Sequence, residues 1–181
     1  MKKFLFVIAM MTGIVTSSFA QVKSALLTAS GLTCSMCSKS IFKSLEKVPF
    51  VASIDVDLNT SVFTIKFKEG ANVDPDVLKD AVTGAGFAVA TLQLIADFPD
   101  TQLAKDTHLK LGGATYHIIN AEGQHVSGEK TVTVVDKNFV TTSAYKKYKK
   151  QEKMKCYETG MAGRCCGANI TAGTRIYHLS L

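Results

Sequence analysis

A βαββαβ order of apolar stripes runs from about residue 23 to residue 94. The run "KSALLTA" is short and apolar, and the segment after it carries apolar residues at helical spacing until Pro49. The stretches "VASIDVDLN" and "SVFTIKF" then alternate between apolar and polar residues on either side of an Asn59–Thr60 turn. These periods predict a strand, a helix and a half-buried hairpin, in that order.

A second helix and a closing strand complete the pattern. Asp74 is a good N-cap and Pro75 suits the first helical position, where its missing N–H costs nothing. Gly84 and Gly86 follow the apolar stripe and end the helix, after which "FAVATLQL" reads as a strand. The predicted fold class is α+β: a ferredoxin-like βαββαβ sandwich with two helices on one face of the sheet, covering residues 23–94.

The rest of the chain has a weaker pattern. Residues 95–106, "IADFPDTQLAKD", predict a linker, and residues 107–181 predict a small strand-rich C-terminal domain. The segments "ATYHIIN", "KTVTVVD", "FVTT" and "TRIYHLSL" are typical of strands, and "SAYKKYKKQEKMK" is typical of a helix. An OB-like barrel is one architecture that fits such a set of strands.

The first twenty residues read as a secretory signal peptide. Lys2 and Lys3 precede the apolar run "FLFVIAMMTGIV", and Ser18 and Ala20 occupy the small-residue cleavage positions. The apolar run is shorter than the roughly 20 residues that span a bilayer. We therefore expect residues 1–20 to be removed after Ala20, a mature protein that is periplasmic or secreted, and no stable membrane insertion.

Composition and motifs narrow the function classes. Apolar residues make up 46% of the chain, which is enough for a packed core. The net charge is +6, and six lysines fall in "KKYKKQEKMK", either as a solvated helix face or as a patch that steers the protein to an acidic partner or an anionic membrane. An exported protein seldom meets nucleic acid, so none is expected as a partner. The sequence shows no Ser-His-Asp pattern, paired catalytic carboxylates or phosphate loop, and we expect a protein that is not an enzyme.

The candidate chemistry begins at Cys34 and Cys37, in "GLTCSMC". A helix N-terminus stabilises thiolates, and two sulfurs on such a loop can converge on one soft ion such as Cu(I) or the chemically similar Hg(II). Zn(II) usually takes four ligands, and residues 35–39 offer no carboxylate or imidazole, so Zn(II) fits less well.

Redox chemistry is the competing interpretation of the same thiol pair. A C-x-x-C at a helix start is also the thioredoxin motif. Thioredoxin-like sites usually carry a Trp before the first Cys, and this chain has no Trp. The sequence favours metal binding, with a thiol-disulfide oxidoreductase or a structural disulfide as the alternatives.

A second group of sulfur donors lies near the C-terminus. The segment "MKCYETGMAGRCCG" contains Met154, Cys156, Met161, Cys165 and Cys166. These soft donors are compatible with a second Cu(I) site, or with a disulfide from Cys156 to one of the other two cysteines. The chain has five cysteines, so pairing within it leaves at least one over. The four histidines show no ligand spacing, and we expect ordinary surface or half-buried residues.

The motif "GLTCSMC" at a strand end, the central hairpin and "GAGFAV" before the last strand resemble the heavy-metal-associated domain family over about residues 23–94. Leu32 stands where the family commonly has Met. The resemblance implies that Cys34 and Cys37 are metal ligands and that Phe87 is the aromatic residue on the loop beside the metal, shielding it from water.

The same resemblance implies a function. It indicates an exported protein that captures a heavy-metal ion, with Cu(I) as the expected ion, and sequesters it or hands it on. A periplasmic Hg(II)-binding protein is the alternative. The expected partner is a metal-transporting membrane protein or another metal-binding protein.

Overall fold

The computed structural model describes residues 21–32, 35–104 and 106–181, so the predicted signal peptide and its cleavage site lie outside the described residues. The strands are β1 (Val22–Ser30), β2 (Val51–Asp57), β3 (Val62–Phe67), β4 (Ala88–Gln102), β5 (His108–Leu111), β6 (Ala114–Ile119), β7 (His125–Val134) and β8 (Ile176–Ser180). The helices are α1 (Ser35–Leu45), α2 (Pro75–Gly84), α3 (Thr142–Gln151) and α4 (Lys155–Thr159), and a 3-10 turn covers Arg164–Cys166. Within the described ranges, no helix is long and apolar enough to cross a membrane.

The N-terminal half has the predicted α+β, ferredoxin-like plan. β1 lies between β3 and β4 and is antiparallel to both, and β2 pairs with β3 at the edge. Helix α1 buries Ile41 and Leu45, and helix α2 buries Leu78 and Val82. The periodic stripes of the sequence are therefore the faces that pack into the core.

Helix α2 begins as the sequence predicts. The side chain of Asp74 accepts a hydrogen bond from the backbone N–H of Asp76, and Pro75 is the first helical residue. The chain leaves the helix through Gly86, whose φ of +90° lies in the left-handed region that glycine adopts without strain. This turn sets where β4 begins.

The segment predicted to be a linker, residues 95–106, is mostly strand. β4 continues to Gln102 and pairs with β1 on one side and β7 on the other. Ala96 and Phe98 are buried, which continues the alternation of the strand. Pro99, which suggests a linker in the sequence, falls at a register shift between Phe98 and Thr101, where a missing backbone N–H is tolerated.

The C-terminal region is strand-rich, as predicted, and its strands extend the same sheet. The eight strands have the order β2-β3-β1-β4-β7-β8-β6-β5, with β6 and β8 parallel. The arrangement is an open sheet with β2 and β5 at its edges, and it is not an OB-like barrel.

The predicted strand "FVTT" is absent from the described strands; Val140 makes only isolated bridges to Thr91 and Lys137. The sequence did not predict β5 or α4.

One hydrophobic core runs through both halves of the sheet. Its buried members include Phe63 and Leu94 from the N-terminal half and Val132 and Leu179 from the C-terminal half. A smaller cluster is built around Cys156 and other residues of the C-terminal region. Cys156 and Cys166 of the sulfur-rich segment are thus part of a packed interior.

Candidate metal centres

The first candidate centre is the beginning of helix α1. Cys37 is the third residue of this helix and is half-buried, whereas Cys34 lies outside the described residues. The first turn contains no acidic residue, and Lys43 lies in the last turn. The exposed N–H groups of the first turn favour an anion, so this position stabilises a thiolate on Cys37.

The ends of β1 and β4 hold the loop that leads into this helix. Ser30 pairs with Ala88, and the Ser30 hydroxyl donates a hydrogen bond to the carbonyl oxygen of Ala88 at 3.2 Å. Gly31 follows with φ +81°, and Leu32 packs against the main core. Phe87 precedes Ala88, so it lies at the end of the sheet where this loop begins, half-buried against the same core. A shielding role for Phe87 stays a prediction.

The second candidate centre contains the three C-terminal cysteines. Their sulfur atoms all lie within 4.8 Å of one another, and the Sγ atoms of Cys165 and Cys166 are 3.6 Å apart. Cys156 comes from α4 and the other two from the 3-10 turn, and all three are thiols. The tertiary structure therefore assembles the donors that the sequence predicts as a metal or disulfide site.

The two methionines of the segment have different surroundings. Met154 is partly buried and packs against the cluster that contains Cys156 and Cys166. Met161 is 47% exposed and forms a backbone bridge with Arg175. Only Met154 is therefore packed beside the cysteine sulfurs.

Three of the four histidines meet, contrary to the expectation from sequence. His117 in β6 pairs with His108 in β5 on one side and with His178 in β8 on the other. The rings of His108 and His117 stack with centroids 4.6 Å apart, and the centroids of His117 and His178 are 5.2 Å apart. No local spacing could reveal this row, because it depends on which strands pair.

The histidine row reaches the cysteines. Ligand atoms of His108, His117 and Cys156 all lie within 4.8 Å of one another. A further set joins His117 to the carboxylates of Asp106 and Glu152 within the same limit. The Nε2 atom of His117 is 3.7 Å from the Asp106 carboxylate, which is too long for a hydrogen bond.

The histidines of this row offer lone pairs. His108 Nδ1 lies 2.9 Å from the carbonyl oxygen of Asp106; since a carbonyl only accepts, this nitrogen carries the proton and Nε2 carries the lone pair. Burial lowers the pKa of His108. Burial, together with the charges of His178 and His108, lowers the pKa of His117 to about 3. Both rings are therefore neutral at neutral pH.

The cysteines differ in how readily they ionise. Burial raises the pKa of Cys156, and the neighbouring thiols of Cys166 and Cys165 raise it further. Burial also opposes ionisation of Cys165, but hydrogen bonds from the backbone N–H of Cys156 and from both other thiols outweigh it and lower its pKa. Cys165 thus ionises more readily than Cys156.

The lysine-rich segment forms the predicted helix, α3, in which no residue is buried. Lys149 pairs with Glu158 of α4 at 2.9 Å. The remaining lysines of the helix face solvent, which fits both interpretations of this segment, a solvated face and a steering patch.

Comparisons with known proteins place the first centre in a family. A model of the heavy-metal-associated domain matches residues 26–88. A search of curated proteins found no match.

Solved structures also align with part of the chain. They include the N-terminal domain of PacS from Synechocystis, at 28% identity over 37% of this chain and 92% of that domain, with a TM-score of 0.32. Oxidized MerP from Ralstonia metallidurans is 26% identical over 38% of this chain and 94% of that one, with a TM-score of 0.35. The N-terminal domain of a potential copper-translocating P-type ATPase from Bacillus subtilis is 26% identical over 38% of this chain and 84% of that one, with a TM-score of 0.34.

The family match begins within β1 and ends at the first residue of β4, so it contains the thiol motif and both helices of the N-terminal half. Residues 26–88 of this chain are therefore a heavy-metal-associated domain.

Proposed function

We propose that the protein is an exported, non-enzymatic carrier that captures Cu(I) through Cys34 and Cys37. The observation that carries this proposal is Cys37 in the first turn of α1, inside the matched domain and three residues after Cys34. Two thiolates suffice for Cu(I), whereas harder ions need donors that residues 35–39 do not supply. Lys39 is exposed on the same helix and can offset the negative charge of a two-thiolate Cu(I) centre.

The proposed mechanism is ligand exchange. A thiolate of a partner attacks the bound ion, a three-coordinate intermediate forms, and one of the two original cysteines leaves. No bond of a substrate is made or broken, so the protein needs no general acid or base. The partner in this proposal is a metal-transporting membrane protein or another metal-binding protein, met in the periplasm or outside the cell after cleavage behind Ala20.

Anaerobic titration of the reduced protein with Cu(I) against a chromogenic chelator tests the proposal. The wild type should bind its first equivalent tightly, and Cys34→Ser/Cys37→Ser should lose that equivalent. The matched control is Ser35→Ala/Ser40→Ala, which changes two exposed side chains of the same helix and should bind as the wild type does. Equal, weak uptake of Cu(I) by all three proteins would refute the proposal.

Two further measurements separate the alternatives. Competition between Cu(I) and Hg(II) under reducing conditions gives the relative affinities of the thiol pair for the two ions. An insulin-reduction assay in excess copper chelator tests for a thiol-disulfide oxidoreductase. Turnover that persists in chelator and disappears in Cys37→Ser would favour the enzyme over the carrier.

A further inference from the structure

The three cysteines and the His108–His117 pair form one group of donors outside the heavy-metal-associated domain, here called the Cys–His cluster. Cys156 belongs to both sets of mutually close ligand atoms, one with Cys165 and Cys166 and the other with the two histidines. His108 and Cys166 also line one cavity of about 320 Å³. The cluster therefore brings soft sulfur donors and imidazoles together, and one imidazole and one thiol of it line the same cavity.

Three of the four ring nitrogens of His108 and His117 lack a hydrogen-bond partner among the described residues. Within the described part of the chain, His108 Nε2 and both ring nitrogens of His117 are buried without a hydrogen bond. Buried polar atoms are almost always hydrogen-bonded, and each unpartnered one destabilises the fold unless a ligand satisfies it. A lone pair aimed into a buried space beside thiols is satisfied by a cation.

We propose that Cys156, Cys165, Cys166 and His108 bind a Zn(II) ion. Three thiolates and one imidazole are a closed tetrahedral zinc set, and four donors suit Zn(II) better than Cu(I). Sulfurs about 2.3 Å from a tetrahedral zinc lie about 3.8 Å apart. The observed separations of the sulfurs, 3.6 Å for one pair and within 4.8 Å for all three, allow the three thiolates to take these positions with small side-chain movements, and Cys156 also lies within 4.8 Å of a ligand atom of His108.

The second shell and the approach to the cluster also fit an ion. The hydrogen bond from His108 Nδ1 to the carbonyl oxygen of Asp106 fixes the ring and leaves the lone pair on Nε2, the kind of second-shell contact that metal-bound histidines commonly make. Cys165 lines a second cavity, of about 590 Å³, which gives an ion a route in. On binding, the three thiols release their protons to solvent. The exposed Lys153 and Lys155 lie next to the site in sequence and offset the excess negative charge.

An ion at this position would join three separate elements. His108 comes from the edge strand β5, Cys156 from α4 and the other two ligands from the 3-10 turn. Both α4 and the turn are short, so few backbone hydrogen bonds hold them. The site would therefore stabilise the C-terminal region, and it is independent of the Cu(I) site proposed above.

The test uses the full chain carrying Cys34→Ser/Cys37→Ser, so that only the Cys–His cluster is measured. The reduced protein should bind one equivalent of Zn(II), and Co(II) in its place should give the intense thiolate-to-metal absorption of a tetrahedral centre. Adding Cys165→Ser should weaken Zn(II) binding at least about a hundredfold, and adding His108→Asn about tenfold or more. Both residues are half-buried, and circular dichroism verifies that each variant is folded.

The control is His125→Asn, since this histidine is exposed, pairs with Asp100 and belongs to none of the groups of close ligand atoms found among the described residues. It should bind Zn(II) as the parent does. A further measurement uses the parent protein, in which the Cys–His cluster is intact. Zn(II) should protect all three of its remaining thiols from alkylation. A disulfide, seen as one alkylated thiol and a mass lower by two hydrogens in protein kept anaerobic, would overturn the proposal. Uptake of Cu(I) but not Zn(II) by these four residues would overturn the ion assignment.

Discussion

Asp76 is the residue through which helix α2 is tied to the C-terminal region. Its carboxylate accepts from Arg175 Nε at 2.8 Å and pairs with Lys79 at 2.7 Å. Tyr177 donates to the neighbouring Asp74 at 2.5 Å, and the Arg175 guanidinium lies over the Tyr177 ring. Burial alone would raise the pKa of Asp76, but Arg175 and Lys79 outweigh it and lower the pKa to about 2.

This residue makes stability depend on pH. The pKa of Asp76 is lower in the folded chain than its ordinary value of 3.8, so its contribution is present above about pH 4 and is lost as pH falls towards 2. The difference corresponds to about 2 kcal/mol of unfolding free energy. The wild type should lose unfolding free energy as the pH falls from about 4 towards 2, and in Asp76→Asn this loss should be smaller by about 2 kcal/mol. Urea unfolding at constant ionic strength measures the unfolding free energy at each pH. Asp80→Asn, whose side chain is 71% exposed, is the control and should keep the wild-type pH profile. An unchanged profile in Asp76→Asn would exclude this role for the residue.

At the scale of elements, Gly160 at the end of α4 leaves room for a contact with Arg175, which is distant in the sequence. Gly160 has φ +70° and ends the helix, and its carbonyl oxygen accepts from Arg175 Nη1 at 3.1 Å. A Cβ at this position would lie 2.7 Å from that nitrogen. Because Arg175 is held by Asp76 and Asp136 as well, it cannot move aside without losing ion pairs.

Alanine substitutions at two glycines separate backbone strain from this clash. Gly123 also has a left-handed φ, of +78°, but a Cβ there would meet nothing within 4 Å. We expect Gly123→Ala to lower the unfolding free energy by about 1 kcal/mol, the cost of the backbone conformation alone. Gly160→Ala should lower it by about 2–3 kcal/mol, since it also disturbs a charge-assisted hydrogen bond. Denaturant unfolding measures both, and equal losses would rule out the contribution of Arg175.

At the scale of the whole molecule, β4 is the element that joins the two halves. It pairs with β1 of the heavy-metal-associated domain and with β7 of the C-terminal region, and the core beneath it is continuous. If one half unfolded while the other stayed folded, buried residues such as Leu94 and Val132 would be exposed to water. This exposure costs free energy. The two halves should therefore unfold together.

The chain offers a convenient test of this cooperativity. All its tyrosines lie in the C-terminal region: Tyr116, Tyr145, Tyr148, Tyr157 and Tyr177. Tyrosine fluorescence thus reports on that region alone, while far-ultraviolet circular dichroism reports on the whole chain. In urea the two signals should give one midpoint. Two separate midpoints would mean that the halves unfold independently, as a division into two domains at residues 95–106 predicts.

The sequence alone determined those features that depend on local periodicity and local chemistry. The strands and helices of the N-terminal half followed from apolar spacing, the start of α2 from Asp74 and Pro75, and the thiol motif from Cys34 and Cys37. These signals lie within a few residues of one another, so no knowledge of distant contacts is needed to read them.

Only the tertiary structure decided what depends on strand pairing. Pro99 suggests a linker in the sequence, but in the structure it lies at a register shift within β4, the strand that both halves share. His178 is far in the chain from His108 and His117, and the neighbouring positions of β5, β6 and β8 bring the three into one row beside Cys156. The order of strands in a sheet is set by the burial of whole faces, and this is why local spacing could not reveal the Cys–His cluster.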